Sequence, residues 1–143
     1  MASVVYNGNA CVISGGYDAR VKFWTWNGPA SLNQIAEIYV AMPVHYMSCR
    51  FPLLVTAHQD RLVTVWNLED SFRTGNFEPK DVVETSLKYS TTTIECFADG
   101  KGFCVGSIEG RCSVNNMDFS KSDRGKSMNF CFKCHRVEDP NNK

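Results

Sequence analysis

Three copies of one short pattern run through the chain at wide and similar spacing. Gly15-Gly16-Tyr17-Asp18 precedes Val21, Phe23 and Trp24. Ala57-His58-Gln59-Asp60 precedes Val63, Val65 and Trp66, and Gly106-Ser107-Ile108-Glu109 precedes Cys112, Val114 and Asn115. Each copy is a tight turn, an acid, then apolar residues at every second position, the period of a strand with one buried face. The acids Asp18, Asp60 and Glu109 lie 42 and 49 residues apart. A recurrence of that length means a repeated supersecondary unit, in which each copy buries its apolar face against the next. The longer second interval places a loop insertion between Glu69 and Thr85.

A period of about 40–45 residues with a Trp closing a strand is the signature of WD repeats, each a four-stranded β-propeller blade. The dipeptide that names the repeat is degraded here to Trp24-Thr25, Trp66-Asn67 and Asn115-Asn116, but all three copies keep one register. The expected fold is therefore all-β, a partial propeller of roughly three four-stranded blades over 1–41, 42–90 and 91–136, with a polar tail at 137–143. Closed propellers carry about 4–8 blades, so three would leave strand edges and apolar faces open, an aggregation hazard. Two such chains could seal each other's edges as a homodimer that closes a six-bladed ring.

The strands follow in order. Ser3 to Tyr6 is what remains for the innermost strand of the first blade, Asn7-Gly8-Asn9 is a hairpin turn, and Cys11–Ile13 and Val21–Trp24 flank the first acid-bearing turn. Ile35 to Val40 reads as an outer strand. His45 to Phe51, Leu53 to Thr56 and Leu62 to Trp66 begin the second blade, Ser71 to Lys80 reads as a loop, and Val82-Val83 as an outer strand. Thr92 to Phe97, Gly102 to Gly106, Arg111 to Met117 and Phe130 to Arg136 make the third. No stretch sustains a helical period.

Asp18 and Asp60 are expected to pin their turns by accepting backbone N–H groups, and Trp24 and Trp66 to bury their rings against a neighbouring blade. These four are framework residues. Fifteen basic and fifteen acidic residues balance, so net charge does not select a nucleic-acid partner, and the local excess Lys121–Lys126 reads as a solvated loop. No apolar run approaches the roughly 20 residues of a membrane span, and the start lacks a charged segment followed by an apolar signal core. Seven scattered cysteines, an odd count, read as free thiols, mostly in the core.

Cys131-Phe132-Lys133-Cys134-His135 matches the C-x-x-C-H haem-attachment spacing. A strand setting argues against it, because Cys131 and Cys134 would point to opposite faces. Zinc lacks an obvious fourth ligand there. His45, His58 and His135 are widely separated, and no nucleophile, paired carboxylate or phosphate-cradling glycine motif points to catalysis. The chain therefore reads as a non-enzyme without a metal or cofactor. A binding surface is the remaining candidate: Ser86-Leu87-Lys88-Tyr89 and Ser107-Ile108-Glu109-Gly110-Arg111 gather apolar, aromatic and charged groups near strand ends. Arg111, one residue past a glycine turn, offers a planar fork for a carboxylate; it reads equally as a turn arginine paired with Glu109.

Those two segments, followed by Phe132-Lys133-Cys134-His135-Arg136, occur in the same order and spacing in one family. The chain resembles the WD-repeat propellers of the nuclear poly(A) RNA export factor and its sister, the mitotic-checkpoint propeller. Gly15-Gly16-Tyr17-Asp18, Val21–Trp24 and Phe51–Val55 extend the likeness over nearly the whole chain. The resemblance implies a place in the middle of a seven-bladed ring and a non-enzymatic adaptor that binds a GLEBS motif. That motif would belong to a nucleoporin in the export case and to checkpoint kinases at kinetochores in the other. It implies a location in the nucleus and at the nuclear pore with cytoplasmic shuttling, and contact with RNA. By the same likeness, Arg111 would pair with acidic residues of the motif, with Lys88, Tyr89 and Glu109 around it. A second family arginine falls at Thr92 here, so part of the charged clamp is absent.

Overall fold

The structure is a computed structural model that describes residues 1–119 and 129–134. The repeats become three four-stranded antiparallel meanders. The first comprises β1 (Ala2–Tyr6), β2 (Asn9–Gly15), β3 (Arg20–Trp26) and β4 (Leu32–Tyr39). The second holds β5 (Val44–Arg50), β6 (Leu53–His58), β7 (Leu62–Asn67) and β8 (Asp81–Glu84). The third holds β9 (Thr91–Cys96), β10 (Gly102–Ser107), β11 (Arg111–Asn116) and β12 (Phe130–Lys133). Strands pair only with their sequence neighbours, as blades do. The Asn7-Gly8 turn has positive φ at both residues, the left-handed pair that a two-residue hairpin needs.

The fold is all-β as expected, with one departure. Leu68–Thr74 forms a short helix, α1, in the inserted segment, part of which reads as loop from sequence. Asn67 caps its start by accepting the Glu69 N–H at 3.2 Å, and Gly75 closes it with φ 73° while its N–H bonds to the Ser71 carbonyl. Two turns are too few for a helical period to emerge, but the Asn cap and glycine stop are the usual end signals. The expected strand at Phe130 to Arg136 is described only as far as Lys133, and the loop at 121–126 and the tail at 137–143 lie outside the described residues.

Two apolar clusters join the sheets. Ile13, Val21 and Phe23 of the first sheet pack with Leu54 and Trp66 of the second, together with Leu68 and Phe77 of the insertion. Leu53, Val55 and Val65, on the other face of the second sheet, pack with Ile94, Phe103 and Val105 of the third. All six residues of β6 are buried, because sheets lie on both its sides. Gly100, in the β9–β10 turn with φ 66°, lies so close to the second sheet that an added Cβ would fall 2.6 Å from the Phe51 carbonyl.

The two tryptophans part company. Trp66 is fully buried and donates its indole N–H to the Phe77 carbonyl at 2.9 Å. Trp24 stands opposite Val12 as Trp66 stands opposite Leu54, but it is only half-buried. Its indole bonds to Ser14 Oγ at 3.0 Å, and Lys22 lies over the ring. No described sheet lies against that face of the first meander, and the Trp24 ring stays half-buried. In the third repeat Asn115 takes the place of the ring; it is buried and bonds to Ser113 Oγ at 3.2 Å.

His58 is buried at the end of β6. Its Nδ1 lies 3.0 Å from the Met42 carbonyl and its Nε2 3.0 and 2.8 Å from the hydroxyls of Thr56 and Thr64. Burial pushes its pKa below the ordinary 6.5, which outweighs the two carbonyls acting the other way. The unfolded chain therefore binds a proton more readily than the folded one. The contribution from neutral His58 should be complete above pH 6.5 and decline as the pH falls from there toward the lower folded value. Denaturant titrations at stepped pH should show this decline, and a His58→Gln variant should lack it. In the same assay Trp66→Ala should lose about 3–5 kcal/mol, the usual range for emptying a buried aromatic site, whereas Trp24→Ala should lose about 1 kcal/mol.

Candidate functional site

The turns joining the second and third strands of each meander lie at one end of the sheets, and each delivers an arginine: Arg20, Arg61 and Arg111. Their surroundings differ. Arg20 reaches Glu37 at 3.0 Å and Asp18 at 3.9 Å, and its guanidinium lies 4.8 Å from the centre of the Tyr39 ring. Arg61 meets Glu84 at 2.5 Å and donates to the Leu87 carbonyl at 3.3 Å. Arg111 has one nearby acid, Glu109, whose oxygen is 3.8 Å from Nε, too far for a hydrogen bond. That Nε is buried and has no hydrogen-bond partner among the described residues; the Arg20 Nε shares this status, but the Arg20 terminal nitrogen pairs with Glu37 whereas Arg111 has only the distant Glu109. A donor left so costs about 1–3 kcal/mol of unrecovered desolvation.

Local chain geometry aims Arg111. Gly110 closes the hairpin with φ 71°, a left-handed conformation that side-chain-bearing residues rarely adopt. Its carbonyl accepts the Cys134 N–H at 2.8 Å, tying the turn to the chain after β12. Beside the turn runs the connector from the second to the third sheet. Leu87 is buried in the second apolar cluster, while Lys88 and Tyr89 are exposed. The Ser90 carbonyl accepts the Ile108 N–H at 3.2 Å, which holds the two segments side by side. Beside the turn and the start of β9 opens a hollow of about 580 Å³, lined by Thr92, Ser107, Ile108, Glu109, Arg111 and Cys134. Ile108 is 66 % exposed at its rim.

The structure thus brings Arg111 and Glu109 together in one hollow and sets the exposed Lys88 and Tyr89 on the adjoining segment. Thr92 lines the same hollow and spends its hydroxyl on the Gly106 carbonyl at 3.2 Å. The framework residues lie elsewhere. Asp18 accepts the Arg20 N–H at 3.3 Å across its turn. Asp60 sits exposed with φ 61° in the short 3-10 turn Gln59–Arg61 and, unlike the expected turn-pinning acid, accepts no backbone N–H among the described residues; the short acidic side chain tolerates this left-handed backbone. Sequence reading missed Arg61, which follows its acid by one residue where Arg20 and Arg111 follow theirs by two. All seven cysteines are free; Cys11 and Cys96 are buried, whereas Cys131 and Cys134 are exposed rather than core. His135 of the C-x-x-C-H stretch lies outside the described residues. Among the described residues no cluster of His, Cys, Asp and Glu is arranged to hold a metal, and no helix is long and apolar enough to cross a membrane.

Meanders of four strands, each with an acid-bearing turn and an apolar face packed on its neighbour, define a run of WD-repeat propeller blades. No family model matches the chain. Its relatives include the mRNA export factor GLE2 of Chaetomium thermophilum, 34 % identical over 94 % of this chain and 34 % of that protein. The poly(A)+ RNA export protein of Schizosaccharomyces pombe is 32 % identical over 90 % of this chain and 33 % of its own length. The mitotic checkpoint protein BUB3.1 of Arabidopsis thaliana is 32 % identical over 90 % and 36 %. The chain belongs to the WD-repeat propeller family that these export factors and checkpoint proteins form. It spans about a third of the length of these relatives.

Arg61→Ala should release both Glu84 and the Leu87 carbonyl. Hydrogen exchange followed by mass spectrometry should then speed up over 85–90, at a cost of about 1 kcal/mol in global stability. Unchanged exchange there would mean that the buried Leu87 side chain alone holds the connector.

Proposed function

We propose that this chain forms part of a non-enzymatic propeller adaptor in mRNA export, and that the hollow around Arg111 receives an acidic GLEBS segment of a nucleoporin at the nuclear pore. The observation that carries this reading is the buried Arg111 Nε without a hydrogen bond among the described residues, beside an open hollow with Ile108 exposed at its rim. A partner carboxylate there would satisfy the donor and form a charge-assisted bond, roughly twice as strong as a neutral one. Ile108 and Tyr89 offer apolar contact, and Lys88 a second positive charge. Thr92, standing where the family resemblance implies an arginine, makes this clamp one charge weaker. The reading puts the protein at the nuclear rim, shuttling to the cytoplasm and meeting RNA with its partners.

Checkpoint relatives at nearly the same identity support a second reading, in which the segment comes from checkpoint kinases at kinetochores. Location through the cell cycle separates the two: a persistent nuclear rim supports export, and foci confined to mitotic kinetochores overturn it. The faces holding Trp24 and, on the third sheet, Phe130 and Phe132 are open to a second copy that closes the ring; light scattering at twice 16.1 kDa would support this homodimer.

Calorimetry with a synthetic GLEBS peptide tests the site. Arg111→Ala should weaken binding by about 2–5 kcal/mol, as expected when one partner of a buried charge pair is removed, and leave the folded state intact by circular dichroism. Equal affinity in the variant would reduce Arg111 to a turn residue. Thr92→Arg should strengthen binding.

A further inference from the structure

Cys104 of β10 and Cys112 of β11 share one face of the third sheet. Cys104 stands opposite Val114 and Cys112 opposite Gly106, so the two cysteines are diagonal neighbours. Their sulfurs are 2.9 Å apart, and both thiols are free. A disulfide bond is about 2.0 Å long, so closure needs only a small approach. The face belongs to neither apolar cluster, and Phe130 and Phe132 on it are 53 % and 45 % exposed. Cys104 and Cys112 are each partly exposed, so a small oxidant can reach the pair.

We propose that Cys104 and Cys112 are a reversible dithiol–disulfide site closed by a peroxide-class oxidant. The Cys112 sulfur attacks one peroxide oxygen, the O–O bond breaks, and Cys112 becomes a sulfenic acid as the first water leaves. The Cys104 sulfur then displaces the hydroxyl from that sulfenic sulfur, and its own proton departs with it as the second water. Two thiols and one hydrogen peroxide become one disulfide and two waters, with the two electrons passing from sulfur to oxygen. The order of attack follows from environment: burial, and then the hydrogen bond with Cys112, push the Cys104 pKa up to about 12, which keeps it protonated until the sulfenic acid lies beside it.

Register also makes the bond reversible. Diagonal neighbours across an antiparallel pair lie about 7–8 Å apart, beyond the usual 4.4–6.8 Å between disulfide-bonded Cα atoms. Closing a diagonal pair draws the hairpin inward, and strained or exposed disulfides have the more oxidising potentials of labile, exchangeable ones. Nearby structure lets the hairpin yield, because the β9–β10 register shifts at Gly106/Ser107 and Gly110 forms the adjoining turn. The competing thiols have other neighbours: Cys131 Sγ lies 2.7 Å from Ser86 Oγ, and Cys134 donates to the Gly110 carbonyl at 3.2 Å.

The experiment treats the reduced full chain with equimolar hydrogen peroxide, alkylates the remaining thiols, digests without reductant and maps the cross-links by mass spectrometry. The expected product is one Cys104–Cys112 cross-link that dithiothreitol removes. It should persist in a Cys131→Ser/Cys134→Ser double variant and vanish in Cys112→Ser. Wild-type mapping alone decides the matter if Cys112→Ser fails to fold. Alkylated Cys104 and Cys112 in the oxidised sample, sulfinic acid at either, or a cross-link from either to Cys131 or Cys134 would overturn the proposal. None of these outcomes depends on whether the chain binds a GLEBS peptide.

Discussion

Burial of each meander's apolar face against the next sheet is the interaction on which everything else rests. A four-stranded meander of this size has no interior of its own. Ile13, Val21 and Phe23 become core only because Leu54 and Trp66 lie across from them, and Val55 and Val65 only because Phe103 and Val105 do. Sheet hydrogen bonds set strand order, but the inter-sheet contacts set how the turns line up, and the turns carry the three arginines. The site at Arg111 is thus a product of packing it does not itself take part in.

Equivalent turns carry different chemistry because their surroundings answer the arginine differently. The first supplies two acids and an aromatic face, the second an acid and a backbone carbonyl, and the third one acid at a distance. The guanidinium is the same in all three; the degree to which the protein itself satisfies it is not. At Arg111 the unmet demand lies beside a hollow of about 580 Å³.

The strands and their order were legible because the acid-to-aromatic spacing repeats in register, so each copy corroborates the others. Helix α1 was not, since Leu68–Thr74 is shorter than the window in which a helical period shows, although Asn67 and Gly75 mark its ends. The half-burial of Trp24 was illegible for a different reason: how far the ring is covered depends on the surrounding sheets, which the residue type does not specify. The juxtaposition of Arg111, Glu109 and Thr92 was partly readable from the motif order. The pairing of Cys104 with Cys112 was not, because eight residues of separation become contact only through the hairpin's register.

Strand β6 has a consequence of another kind. A strand covered on both sides needs no polar face, and Leu53–His58 holds none of the charges, prolines or glycines that discourage pairing with foreign strands. Short β-prone segments of this composition are the ones that stack between identical chains when exposed. The residues just outside it act against that outcome: Pro52 withholds a donor at one end, and Asp60 and Arg61 set opposite charges at the other. Before the third sheet packs on it, these flanking residues are the local features that weigh against foreign pairing of the most deeply buried of the described strands.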